Sequence, residues 1–183
     1  GASRTPHARI GLWKERLAGL RASLRAESSA RRSPRDLLRR QSMLIDRQLK
    51  EVWVGHAMPR DVALAAVGGY GRGQLFPCSD VDILILLSAP AGATLARKIE
   101  ELIGTLWDIG IEVGHSVRTI EECIALAAAD VTIQTTLLEA RLLAGKRDLF
   151  SRFVKRVRDA LDPATFLQAK LLEQQQRHMR YAE

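Results

Sequence analysis

The stretch Val62-Ala-Leu-Ala-Ala-Val-Gly-Gly-Tyr-Gly-Arg-Gly-Gln-Leu-Phe-Pro-Cys-Ser-Asp-Val-Asp-Ile-Leu-Ile-Leu-Leu87 decides how the rest of the chain is read. Residues 62–67 are apolar throughout and read as a buried strand. The glycines that follow leave the backbone bare, so its N–H groups can approach a polyphosphate with no side chain in the way. Asp80 and Asp82 then stand at the mouth of a second apolar run, 83–87.

Spacing sets what those aspartates can do. Alternate residues of a strand share a face, so Asp80 and Asp82 point one way while Val81 points into the core. Their Cα atoms would lie about 6–7 Å apart. Two carboxylates so close beside an apolar strand repel each other unless a cation lies between them or one takes a proton. Magnesium is a hard ion that binds through one or two carboxylates plus substrate phosphates, so it suits the first option; manganese is the alternative. A glycine turn alone is usually a tight loop, and a lone Asp-x-Asp is usually a solvated turn or a helix cap. Their ordered combination is what points to nucleotidyl transfer, which needs a neutralised triphosphate and an in-line nucleophile.

A third carboxylate is expected from residues 111–117, read as another strand. Ile111, Val113 and His115 alternate with Glu112, Gly114 and Ser116. This phase lets Glu112 face the cleft of Asp80 and Asp82, as a metal ligand or as the base that takes the acceptor's proton. Asp108 is its rival, and a surface strand residue paired with Arg118 or His115 is its plain alternative. Gly68 and Gly69 are expected to offer N–H groups to the triphosphate at the start of a short helix. Arg72 is read as a phosphate contact or as a brace against Asp80. Ser79 is read as a phosphate ligand or a strand cap, and His115 as structural.

Val67-Gly-Gly-Tyr-Gly-Arg-Gly-Gln-Leu-Phe-Pro-Cys-Ser-Asp-Val-Asp82 resembles the nucleotidyltransferase superfamily related to DNA polymerase β. Together with Trp107-Asp-Ile-Gly-Ile-Glu-Val-Gly-His-Ser-Val-Arg-Thr119 and Leu137-Leu-Glu-Ala-Arg-Leu-Leu-Ala-Gly145, it is similar to the N-terminal region of the bifunctional uridylyltransferase/uridylyl-removing enzymes. The tail 170–181 extends the likeness. Gln74 stands where that family usually has Glu, and Cys78 where it usually has Tyr. The resemblance implies an α/β fold with a small mixed sheet and flanking helices. It also implies a multifunctional transferase of nitrogen regulation, moving UMP from UTP to a tyrosine of the PII signalling protein with Asp80 and Asp82 as metal ligands. Two rival functions remain open: adenylyl transfer to a protein or small molecule, and a catalytically silent module that docks a partner. The family's hydrolase signature, a His-Asp pair, is absent from the sequence, so uridylyl removal is not expected of this chain.

At 183 residues the chain is long enough for a real core. It has no run of about 18 apolar residues and its start is polar, so neither a membrane span nor a signal peptide is expected. Cys78 and Cys123 make neither a disulfide framework nor a metal motif, and the cytoplasm is the expected compartment. The net charge of +7 gathers near the N-terminus and over 146–158, on helical patterns with little aromatic interleaving. Solvated helix faces are the simplest reading, and nucleic acid is not an expected partner.

Outward from the central stretch, Ile10, Trp13, Leu17, Leu20 and Leu24 give an amphipathic helix. Residues 27–30 read as a linker, and Ser33-Pro34 opens a second helix. A helix is expected from Leu95 to Leu106, a capping box at Thr119-Ile-Glu-Glu122, and a helix over 131–143 capped by Asp130 and stopped by Gly145. A last helix is expected from Asp162-Pro163 onward. The chain is thus expected to divide into an N-terminal helical extension (1–57), a nucleotidyltransferase core (58–120) and a helical segment (121–183), and the resemblance implies a protein that continues beyond it.

Overall fold

A computed structural model describes residues 6–28, 33–76 and 79–160. Within it, α1 (Pro6–Ser28) and α2 (Pro34–Gly55) precede β1 (Val62–Ala66) and the single turn α3 (Gly68–Gly71). Then come β2 (Val81–Leu87), α4 (Ala93–Asp108), β3 (Val113–Thr119), α5 (Ile120–Ala129), α6 (Val131–Leu138), β4 (Arg141–Gly145) and α7 (Arg147–Asp159). The strands form one sheet in the order β3-β2-β1-β4. β1 is antiparallel to β2 and β4, and β2 is parallel to β3, so the sheet is mixed.

Alternation along the strands builds a core on each face. Val62, Leu64, Ala66, Ile83, Ile85 and Leu87 pack with Ile45, Leu49, Val52 and Trp53 of α2 and with Ile99, Leu102 and Leu106 of α4. Ala63, Ala65, Leu84 and Leu86 face the other way, against Cys123 of α5, Leu137 of α6 and Leu149 and Phe153 of α7. This two-faced burial explains why β1 and β2 read as unbroken apolar runs. Asp82 has the phase of Leu84 and Leu86, so it belongs to the face covered by α5, α6 and α7.

Local signals place most elements where the sequence puts them. Pro34 opens α2, although Ser33 makes no side-chain capping bond. Thr119 and Glu122 form the full capping box, and Asp130 caps α6 by accepting from Thr132 N at 2.7 Å. Three expectations need correction. The helix read over 131–143 ends at Leu138, and Arg141–Gly145 is instead β4, paired with β1. A segment expected to be wholly helical therefore supplies a strand of the sheet. The third strand runs over Val113–Thr119, which leaves Ile111 and Glu112 ahead of it. α1 continues through Ser28, past the start of the expected linker. The helix expected from Asp162 lies outside the described residues.

Candidate active site

The C-terminal end of β1 and the N-terminal ends of β2, β3 and β4 meet at one end of the sheet. Ala66 pairs with both Ile83 and Arg141, and Val81 pairs with Val113. Val67 N donates to Asp82 O at 3.0 Å, and the chain then turns through α3. Gly68 has φ +56°, a left-handed conformation that L side chains rarely adopt. A Cβ there would lie 3.7 Å from Asp82 Oδ2 and 3.8 Å from Thr136 Cγ2. The turn is thus seated between the β2 carboxylate and α6. The N–H groups that open α3 have no preceding turn to bond, and Val67 brings no side-chain oxygen to cap them.

Asp82 leans over β3. It pairs with Gly114, where a Cβ would come within 2.5 Å of Asp82 Oδ1. Only a residue without a side chain leaves that oxygen its place. Partial burial, and after it the charge of Asp80, raises the Asp82 carboxyl above its ordinary value. The charge of Asp80 thus acts on Asp82, as a nearby like charge does. A donor set of two mutually repelling carboxylates, with Gly68 and Gly114 leaving room beside Asp82, fits a hard divalent cation.

Glu112 is exposed just ahead of β3, and its carbonyl accepts from Val81 N at 2.9 Å. Among the described residues no group of three His, Cys, Asp or Glu side chains is placed to hold a metal ion. The structure thus brings Asp80 and Asp82 together without adding Glu112 to a metal-holding group. Asp108 is exposed at the end of α4, and His115 stands edge-on to exposed Trp107 with ring centroids 6.2 Å apart. Arg72 pairs with the Glu139 carboxylate, and its Nε donates to Gln74 Oε1 at 3.4 Å. Ser79 Oγ donates to the Phe76 carbonyl at 2.9 Å, closing the loop ahead of β2.

The sequence reading missed what stands behind the turn. The Tyr70 hydroxyl donates to Asp46 Oδ1 at 2.6 Å, and burial and then Asp46 hold the phenol in its neutral form. Arg141, the first residue of β4, forks onto Asp46 with Nη1–Oδ2 at 2.5 Å and Nη2–Oδ1 at 3.0 Å. Its Nε donates to Gly71 O at 3.2 Å and its Nη2 to Tyr70 O at 3.3 Å. Gly71 lies so close to the same connection that a Cβ would meet Glu139 O at 2.2 Å. The only signal available in the sequence was Arg141 itself, and the helical reading of 131–143 hid its register.

A mixed sheet with a glycine turn and paired aspartates at one end defines a nucleotide-handling α/β domain, and the sequence comparison agrees. A family profile described as "Nucleotidyltransferase domain" matches residues 45–143, and the chain belongs to that family. It is 49% identical over 169 residues to the bifunctional uridylyltransferase/uridylyl-removing enzyme of Chromobacterium violaceum, covering 92% of this chain and 20% of that protein. It is 54% identical over 147 residues to the enzyme of the same name in Cupriavidus pinatubonensis, covering 80% of this chain and 17% of that one. The chain thus spans about a fifth of the length of these relatives. Among solved structures, a toxin-antitoxin crystal structure with AMP-PNP aligns over 73% of this chain and 98% of its own at 15% identity. Its TM-score is 0.41, too loose a likeness to carry an argument. No described helix is long and apolar enough to cross a membrane.

Proposed function

We propose that this chain transfers UMP from UTP to a tyrosine hydroxyl of a PII-type signalling protein in the cytoplasm, releasing pyrophosphate. The observation that carries the reading is the placement of Asp82 between Gly68 of the turn and Gly114 of β3, with the charge of Asp80 acting on it. The nucleotide and acceptor come from the relatives' name, "Bifunctional uridylyltransferase/uridylyl-removing enzyme". We assign the uridylyl-removing half of that name to length this chain does not span.

In this reading Asp80 and Asp82 hold magnesium, or manganese in its place. The metal supplies charge neutralisation on the triphosphate and orients the reacting oxygens. Gly68 and Gly69 bring backbone N–H groups to the phosphates. Arg72 and Ser79 lie on the same loop, and each contributes a donor to phosphate oxygen when it leaves its present partner. Glu112, exposed at the same end of the sheet, accepts the proton of the acceptor hydroxyl as a base. The hydroxyl oxygen bonds to the α-phosphorus, the bond from that phosphorus to the bridging oxygen breaks, and pyrophosphate leaves.

The test is transfer of label from α-labelled UTP to a PII protein and to its Tyr→Phe variant, with Asp80→Asn and Asp82→Asn chains beside the unaltered one. Label on the tyrosine protein alone, lost in both aspartate variants, is the expected result. Full transfer by either aspartate variant overturns the metal clamp, and label from ATP but not UTP overturns the choice of nucleotide.

A further inference from the structure

α2 lies ahead of the glycine stretch in sequence, yet it grips the loop at three places. The buried Ser42 accepts from Leu75 N at 3.2 Å through its hydroxyl, Gln41 Nε2 donates to Phe76 O at 3.4 Å, and Asp46 accepts from the Tyr70 hydroxyl. Ser42 and Asp46, four apart, lie one above the other on the helix, and Gln41 flanks them. β4 reaches the same point from the other end of the domain, because Arg141 forks onto Asp46 while bonding the carbonyls of Tyr70 and Gly71. The guanidinium carbon also lies 5.5 Å from the centroid of the Tyr70 ring. The Asp46 side chain is 14% exposed and that of Arg141 36%, so the pair is shielded better than the solvent-facing Lys155–Asp159 pair along α7. A forked bond of this kind fixes orientation as well as distance.

The turn is therefore tied down on one side and free of side-chain bulk on the other. Tyr70 and the two carbonyls are bonded to α2 and β4, while Gly68 lies beside Asp82 and Thr136, where an added Cβ would stand 3.7 and 3.8 Å from them. We propose that Asp46, Arg141 and Tyr70 are positioning residues for the nucleoside triphosphate: their network fixes the glycine turn at the distance from Asp82 that the ligand requires. This inference rests on the nucleotide site proposed above and assigns it three residues that do not themselves touch the substrate. Gln41 and Ser42 lie outside the matched family region, 45–143, and Asp46 lies just inside its edge.

Loosening the network widens the range of turn positions, and only some of these admit the ligand. Affinity for the triphosphate falls while the sheet stays folded. The experiment titrates UTP with magnesium into the unaltered chain and into Asp46→Asn, Arg141→Lys and Tyr70→Phe, with melting and amide hydrogen exchange on each. Loss of one charge-assisted contact corresponds to about tenfold weaker UTP binding in Asp46→Asn and Arg141→Lys, and a smaller loss in Tyr70→Phe. Lysine keeps the charge of Arg141 but not the fork, so it does not rescue binding. Exchange is expected to rise at residues 68–73 and to stay unchanged in the centre of β1 and β2. A purely structural role would lower the melting temperature without changing the affinity of the folded chain, and that result overturns the inference. If Asp46→Asn does not fold, Tyr70→Phe decides, since it deletes a single hydroxyl. An unaltered chain that binds no UTP overturns the nucleotide site itself; binding that is equal in all four chains overturns the positioning role alone.

Discussion

Two glycines near the site differ in what an added methyl would strike. At Gly114 it is the end of the Asp82 side chain, at 2.5 Å; at Gly71 it is a backbone carbonyl, Glu139 O, at 2.2 Å. A carboxylate can swing away, whereas a carbonyl moves only with its chain. Gly114→Ala is therefore expected to melt close to the unaltered chain yet lose magnesium-dependent UTP binding, because Asp82 leaves its place. Gly71→Ala is expected to lose about 1–3 kcal/mol of stability, the usual cost of overpacking, measured by denaturant unfolding. Asp82→Asn separates function from stability in the opposite sense. The Asp82 carboxyl is raised in the folded chain by burial and by Asp80, so the fold holds that proton more tightly than the unfolded chain does. Its favourable contribution is complete below the ordinary carboxylate pKa and is lost as pH rises through the raised value. Above that value the ionised Asp82 carboxylate, buried in part and beside Asp80, works against folding, and Asp82→Asn without metal is expected to melt about 1–3 °C higher there while transfer is lost. Equal melting of the two chains across the pH range would show that the Asp80–Asp82 repulsion does not act on stability. The face that Asp82 shares with Leu84 and Leu86 was legible in sequence because a period of two fixes faces without any knowledge of neighbours. Tyr70, Asp46 and Arg141 were not, since nothing local says which distant side chain will meet a phenol.

Among the elements, those that carry their own signals were legible and the one defined by a partner was not. Unbroken apolar runs marked β1 and β2, and the Thr119-to-Glu122 box marked the start of α5. β4 has no such mark. Leu137, Leu138, Leu142 and Leu143 fall at helical spacing, and Gly145 with its φ of +86° served equally well as a helix stop. Pairing with β1 overrides that pattern: β4 shields the edge of β1 that would otherwise present bare N–H and C=O groups. Where β3 ends, one residue does two things. Thr119 is the last residue of that strand and the cap of α5, accepting from Glu122 N at 3.3 Å while its own N–H donates to Glu122 Oε2 at 2.7 Å. Thr119→Ala is thus expected to cost about 1 kcal/mol, seen as a lower denaturant midpoint with an unchanged slope.

At the scale of the whole molecule, the sheet separates two jobs. On one face α2 and α4 bury the larger core, and α2 carries groups that hold the glycine turn; on the other, α5, α6 and α7 close over the side from which Asp82 projects. A ligand at the proposed site would touch loops from β1, β2 and β3 together, so its binding is expected to stabilise the domain as a unit rather than one loop of it. At about 100 times its dissociation constant a ligand adds about 2.7 kcal/mol, which for a chain of this size raises the melting temperature by about 5–10 °C. UTP with magnesium is expected to give that shift, CTP and ATP a smaller one, and UTP with a chelator little or none. Because the proposed metal and glycine contacts would grip phosphate alone, the size of the difference among the nucleotides measures how much this fifth of the relatives' length reads the base. Equal shifts for all three would assign base selection to the rest of such a protein, while a larger shift for ATP would favour adenylyl transfer.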